Sequence, residues 1–237
     1  MQKNIVFEDE HIIVAYKPAG IATQTARLGQ QDMVSELKNY LARKPENKGK
    51  GVPYLGLVHR LDQPVAGILV FAKTKQAAAS LSKQITDGSF HKYYYALVQG
   101  RPSMEQESLE SYLYKDGKTN MSHVVKKEHP DAKEAKLCYQ WKETLMVWEA
   151  MQEASLVEIE LYTGRHHQIR VQMAHAGLPL LGDSKYGTED SKNFSKEIGC
   201  RNVALCACRL QFKHPGTGKA AEFFKKPEDE IFIPFLS

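Results

Sequence analysis

The stretch Val58-His59-Arg60-Leu61-Asp62-Gln63-Pro64-Val65-Ala66-Gly67-Ile68-Leu69-Val70-Phe71-Ala72-Lys73 decides how the rest of this 237-residue chain is read. Its second half, Ile68 to Ala72, is an unbroken apolar run, which is the pattern of a strand buried on both faces. Tyr54 to Val58 is a second extended segment, so the natural parse is strand, loop, strand, with His59, Arg60 and Asp62 in the loop. Pro64 fixes its own φ and biases Gln63 toward extended backbone, which helps hold the Asp62 carboxylate in one geometry. An Asp close to an Arg is ordinarily a surface ion pair. It is also a pairing that shifts a carboxylate's pKa in active sites.

Working outward from this stretch, Ile5 to Tyr16 reads as a short strand that stops at a turn, Lys17-Pro18-Ala19-Gly20. Asp32 to Arg43 places Met33, Val34, Leu37, Tyr40 and Leu41 at helical spacing, with Asp32 suited to the N-cap. Arg43 to Gly51 is polar and reads as a loop, and Lys75 to Ile85 as a helix closed by Asp87-Gly88. Strands are expected at Lys92 to Val98, Leu109 to Tyr114, Glu134 to Trp141, Leu145 to Met151, Ser155 to Tyr162, Ala204 to Phe212 and Lys219 to Phe224. These elements predict a mixed α+β fold with a largely antiparallel central sheet and flanking helices and loops, forming a single domain over 1–237.

Composition narrows the function classes. Thirty-two Lys and Arg against 28 Asp and Glu give a formal charge of +4, which favours an anionic partner. No stretch is long and apolar enough to cross a bilayer, and the start MQKNIVFEDE lacks the apolar core of a secretory signal. A cytoplasmic protein is expected. The four cysteines, Cys138, Cys200, Cys206 and Cys208, are too few and irregular for a disulfide framework. Cys206 and Cys208 share one face of a strand, yet no second pair at ligand spacing completes a zinc site, so no metal is expected.

Two further clusters could carry chemistry. In Tyr162-Thr163-Gly164-Arg165-His166-His167-Gln168-Ile169-Arg170 a strand ends at Thr-Gly and a helix begins, which is a favourable place for a phosphate. The alternative is a charged helix start facing solvent. His166 and His167 are adjacent and make a poor metal pair. In Lys92-Tyr93-Tyr94-Tyr95-Ala96, alternation sets Tyr94 on one face and Tyr93 and Tyr95 on the other. Such stripes usually pack, although a Tyr beside a nucleotide suits proton transfer or stacking on a flipped base.

Taken together, the segments resemble the RluA-type pseudouridine synthases. That family's signature is His-Arg-Leu-Asp, then Gly after four intervening residues, then an apolar strand ending in Ala-Lys, and it reads here as His59 to Lys73. Four other matches follow the family's order: YKPAG at 16–20, KYYYALVQG at 92–100, TGRHHQIRVQMAHAGLPLLGDSKYG at 163–187 and LQFKHPGTGK at 210–219. The resemblance covers about residues 5 to 225 and implies an enzyme that isomerises uridine in structured ribosomal or transfer RNA. It implies that Asp62 is the catalytic aspartate, Tyr94 the active-site tyrosine and Arg170 the basic residue paired with the aspartate. Arg60 matches the arginine inserted where the base is extruded. His59, Arg60, Arg165, His167 and Gln168 are the implied RNA contacts, with Lys48 and Lys50 adding charge. The reaction calls for no cofactor, and the expected partner is RNA, with no membrane, no obligate protein partner and a monomeric enzyme.

The sequence departs from the family at Val65-Ala66, where Thr-Ser is usual, at His166 for Thr, and at Gln172 and Cys206 for His. These changes touch substrate contacts and turnover more than reaction type. The N-terminal S4 RNA-binding module of many relatives is not expected, so RNA choice would rest on the catalytic domain. Two other readings are an RNA-binding protein that has kept the fold without the chemistry, and a hydrolase using Asp62 with His59 or His167. The second lacks the paired carboxylates that glycosidases need.

Overall fold

The computed structural model of the chain describes residues 2–25, 29–147 and 150–236. Contacts gather the chain into two compact units, one of Met1–His91 with Ala207–Lys226 and one of Lys92–Cys206 with Pro227–Ser237. Each has its own antiparallel strand pairs, and the α+β expectation holds.

In the first unit β1 (Ile5–Glu8) and β2 (Ile12–Lys17) form a hairpin, where the sequence suggested one strand. Asp9 makes the turn: its carboxylate accepts from the amides of His11 and Ile12 at 2.8 Å each. Helix α1 (Met33–Ala42) starts where expected, with Asp32 accepting from the Ser35 amide at 2.8 Å. Strand β3 is only Gly56–Leu57, shorter than the reading of 54–58, and pairs with β4 (Ala66–Ala72), whose seven residues are all buried. β2 pairs with the same strand in a register that sets Lys17 opposite Gly67. α2 (Lys75–Asp87) is capped by Thr74 and ends on Gly88 in the left-handed conformation. β10 (Leu205–Lys213) lies next to β4 and pairs with β11 (Ala220–Phe224). The Gln84 side chain ties α2 to β10 through both the N–H and the C=O of Lys213.

The second unit runs β5 (His91–Gln99), β9 (Gln152–Leu161), β8 (Lys133–Val147), β6 (Gln106–Asp116) and β7 (Met121–Val125) in that spatial order. The two strands expected at 134–141 and 145–151 are one strand through 147. A register shift between Trp141 and Glu143 reverses the alternation that had suggested a break. Residues 148–149 of that expected second strand lie outside the described residues. Strand β7 was not expected, and neither was α4 (Glu189–Glu197), whose apolar content is low but whose start is capped by Thr188. Between them comes α3 (Gln168–His175), with Gln168 through Met173 all buried. Its Val171 packs with Leu113 and Ala135 against Val124 and Tyr186.

Gly67 is the tightest point of the first unit. Its φ is +130°, and a Cβ placed there would overlap the backbone of Ala207 on β10. Both conditions exclude any side chain. Gly67→Ala is expected to destabilise the protein by about 3 kcal/mol or more, seen as a lower urea midpoint; an unchanged midpoint would show that β4 and β10 can separate freely.

Candidate active site

The loop from Val58 to Val65 is held from below by the segment after β2. Lys17 is fully buried, and its ammonium donates to three carbonyls, Pro18 O at 3.0 Å, Ile21 O at 2.7 Å and Gln63 O at 3.1 Å. The Gly20 amide also donates to Gln63 O at 2.8 Å, and the Gln63 side chain returns a bond to Gly20 O at 2.9 Å. Thr23, buried, brackets Leu61: its hydroxyl donates to Leu61 O at 2.9 Å and accepts from Leu61 N at 3.2 Å. Asp62 therefore sits between two residues whose backbones are tied down. Its own carbonyl accepts from Val65 N at 3.0 Å, closing a tight turn through Pro64. The Asp62 side chain is half-buried and Arg60 is exposed.

His59 is an anchor in this loop. Its Nε2 accepts from the Val70 amide at 3.1 Å, continuing the ladder beyond the short β3, and its ring packs 5.4 Å from Phe90. An Nε2 that accepts must be unprotonated, so the proton of the neutral ring is on Nδ1. Val65 and Ala66 are buried, so the departures there replace hydroxyls with apolar groups in the interior.

In the second unit Tyr94 is buried on β5, on the face it shares with Lys92 and Ala96, while Tyr93 on the opposite face donates to Glu160 at 3.2 Å. Arg170 lies in the first turn of the buried helix α3. Its Nε and one Nη each donate at 2.7 Å to the two oxygens of Asp183, and both residues are only 3% exposed. Asp183 Oδ1 accepts in addition from the amides of Lys185 and Tyr186. The arginine thus has a carboxylate partner within its own unit that the sequence reading did not name. The Tyr186 ring lies under the guanidinium, 5.2 Å from its carbon.

The residues before α3 form a second network. Ser122 on β7 donates its amide to the Tyr186 hydroxyl at 2.8 Å, and the Tyr186 hydroxyl is 2.8 Å from His167 Nδ1. The phenol thus accepts from Ser122 and shares a second hydrogen bond with His167. Burial, reinforced by the charges of Arg170, His166 and Lys185, pushes the His167 imidazole down to about 3, so it is neutral. His166 stacks on it with ring centres 3.7 Å apart and shares Ser122 Oγ at 3.0 Å. His167 itself has φ +53°, an uncommon left-handed conformation for a residue with a side chain.

Gln168 and His167, expected as RNA contacts, are buried, and Gln168 is occupied by protein. Its Oε1 accepts from Thr163 Oγ1 at 2.8 Å and from the Arg165 amide at 3.0 Å, and its Nε2 donates to Lys136 O and Gln172 Oε1. It fixes the start of α3. Gln172, where the family usually has His, donates to Leu109 O, Ser111 Oγ and Ala135 O, which joins α3 to β6 and β8. Arg165 is exposed, steadied by one bond from Nε to Glu134 O. Cys206 and Cys208 are buried thiols, and among the described residues no group of three His, Cys, Asp or Glu side chains is placed to hold a metal. No described helix is long and apolar enough to cross a membrane.

Lys17, Thr23, Ser122, Asp183 and Tyr186 escaped the sequence reading as working parts. YKPAG and GDSKYG marked where Lys17, Asp183 and Tyr186 lie, but a residue that supports another through a bond distant in sequence leaves no local periodicity to read. Thr23→Val would leave the buried N–H and C=O of Leu61 without partners; a loss of about 1 to 3 kcal/mol in denaturant unfolding is expected. The pH behaviour of His167 follows from its depressed pKa. An unfolded chain takes up this proton near pH 6.5 and the folded one only near 3. Its stability contribution is therefore complete above about 6.5 and declines as pH falls toward 3. The drop in Tm between pH 6.5 and 4 should be shallower in His167→Gln than in the wild type; equal slopes would show that His167 titrates normally.

Comparison with known proteins places this arrangement. A family profile described as RNA pseudouridylate synthase matches residues 11–175. The chain is 36% identical over 230 residues to the ribosomal large subunit pseudouridine synthase D of Zymomonas mobilis, covering 95% of this chain and 69% of that protein. It is 32% identical over 240 residues to the dual-specificity RNA pseudouridine synthase RluA of Vibrio parahaemolyticus, covering 98% of this chain and 88% of that one. Against the ribosomal large subunit pseudouridine synthase C of Vibrio cholerae, with 31% identity over 92% of this chain, it spans 64% of the relative's length. In fold, it is similar to human RNA Pseudouridylate Synthase Domain Containing 1, with TM-score 0.74 and 21% identity over 99% of this chain and 86% of that one. Profile, sequence relatives and fold agree: the chain belongs to the RNA pseudouridylate synthase family, among the RluA-type enzymes.

Proposed function

We propose that this protein isomerises specific uridines of a structured ribosomal or transfer RNA to pseudouridine, with Asp62 as the catalytic residue. The observation that carries the reading is the mounting of Asp62: a half-buried carboxylate in a turn whose neighbours Leu61 and Gln63 are clamped by Thr23, Gly20 and Lys17. Such clamping is wasteful for a solvated surface acid and suits a group that must meet a reacting centre within a fraction of an ångström. The relatives' names, ribosomal large subunit pseudouridine synthase and dual-specificity RNA pseudouridine synthase, support the substrate class.

In this reaction the N1–C1′ bond breaks, the uracil turns, and C5–C1′ forms; C5 gives up its proton to solvent and N1 gains one. No electrons are gained or lost and no group is imported, so the chemistry calls for neither metal nor organic cofactor. Asp62, Tyr94 and Arg170 are assigned to the reaction, and 1–237 to one catalytic domain. Arg170, held by Asp183, supplies a guanidinium whose orientation is already set. Arg60 is assigned to the gap left by the everted base and, with Arg165, Lys48 and Lys50, to phosphate contact. Extruding a base costs a few kcal/mol of stacking, part of which a planar guanidinium offsets. A monomer acting in the cytoplasm fits this scheme.

The direct measurement is tritium release from RNA carrying 5-tritiated uridine. Asp62→Asn should lower release by about 10³-fold or more while leaving Tm within about 2 °C. Full release from Asp62→Asn would remove the mechanism, and a wild-type protein that binds RNA yet forms no pseudouridine would make it a binding protein instead.

A further inference from the structure

Lys92 is a buried charge that the reaction scheme leaves unassigned. It begins the inward face of β5, two residues and so about 7 Å along the strand from Tyr94. Continuing the register that sets Tyr93 opposite Glu160 brings Lys92 opposite Leu161, an apolar residue. The two β9 carboxylates nearest in register, Glu158 and Glu160, stand opposite Tyr95 and Tyr93 and therefore on the other face, and the third, Glu153, lies at the far end of the strand, eight residues from Leu161. There Glu160 receives the hydroxyls of Tyr93 and Tyr162, and Glu158 pairs with Lys142. Lys92 is 8% exposed and has no hydrogen bond or ion pair among the described residues. Burial alone pushes its ammonium below the ordinary lysine range. A cation largely withdrawn from water and without a counter-charge is a costly arrangement that an anion arriving from outside would relieve.

The position of the ammonium indicates where that anion would arrive. Gly164 is exposed, and a Cβ placed on it would meet only Lys92 Nζ, at 3.7 Å. The absence of a side chain at 164 leaves the lysine tip lying under an uncovered turn. The same turn leads into α3, whose N-terminus attracts negative charge and whose cap residue, His167, contributes no side-chain capping bond. Arg165, exposed, stands at its rim. Buried cation, uncovered glycine, helix start and guanidinium converge on one small surface.

We propose that Lys92, beneath the Thr163–Gly164 turn, is an anion subsite that receives a phosphodiester oxygen of the RNA next to the nucleotide being modified. The inference rests on the RNA-modifying function above and deepens it by naming where the backbone is gripped. The lysine adds binding and register, and the chemistry stays with Asp62.

The test is binding of a fluorescein-labelled ten-nucleotide oligouridylate at several salt concentrations, with unfolding measured on the same samples. Lys92→Met is expected to weaken binding on the order of tenfold and to reduce the slope of log K against log salt by about 0.7, the signature of one lost phosphate contact on a single strand. Its thermal stability should equal or exceed the wild type's, because an uncompensated buried cation has been removed; a merely structural lysine would instead lower it. Gly164→Val covers the ammonium without removing it and should weaken binding and flatten the slope in the same way, so the test survives if Lys92→Met fails to fold. Unchanged slopes in both variants would overturn the subsite. Displacement of the oligouridylate by millimolar inorganic phosphate, at matched ionic strength, would overturn the RNA assignment in favour of a free anion. Asp62→Asn keeps the wild-type slope while losing tritium release. A failure of catalysis and a failure of the subsite are thus read on separate signals.

Discussion

A single buried ammonium organises the first unit. Lys17 ends an otherwise apolar strand, and in water its charge would be solvated on all sides; inside the protein three carbonyls take the place of that water. Two of those carbonyls belong to the turn just after β2 and the third to the loop carrying Asp62. Satisfying the lysine therefore fixes the distance between two loops that are 46 residues apart in sequence. Thr23 and Gly20 add bonds to the same junction, but they are neutral groups whose loss leaves smaller debts of solvation. The charged centre sets the geometry and the neutral bonds refine it.

The second unit solves the opposite problem, with charge held in place by charge. Arg170 and Asp183 form a two-pronged pair almost out of contact with water, and the Tyr186 ring below the guanidinium leaves it little freedom to turn. Close by, His167 is kept neutral, so a second positive charge does not accumulate beside the arginine. The left-handed backbone at His167 is a strained conformation for a residue with a side chain, stabilised here by its bond to Tyr186 and its stacking on His166. A chain that tolerates such strain where it also concentrates Arg, Asp and Tyr is maintaining a fixed electrostatic environment.

Much of this was legible in the residues themselves. The buried runs of β2 and β4, the Asp32 cap of α1 and the Gly88 end of α2 follow local rules of periodicity and capping, and they appear where those rules put them. The family resemblance resting on His59 to Lys73 and the later motifs was likewise readable, and the relatives agree with it. What stayed hidden has a common cause. β7 is short and alternates weakly, α4 is nearly all polar, and the bulge near Lys142 reverses the inward and outward faces midway through a strand, so none presents a clean period. The supports of the site were invisible for another reason: Thr23 beneath Leu61, or Asp183 beneath Arg170, is a partnership across 38 or 13 residues that only folding creates. Gln168 misled because an amide next to Arg and His looks like a nucleic-acid contact until its neighbours are seen to saturate it.

Asp183 has two duties that cannot be separated. The oxygen that receives the arginine also receives two main-chain amides of the turn that positions Tyr186. A neutral amide in its place could accept on one side but would present N–H groups on the other, against donors. The arginine and the acid can therefore change only as a pair, and any such exchange must also rebuild the turn, so this corner of the protein resists drift one substitution at a time.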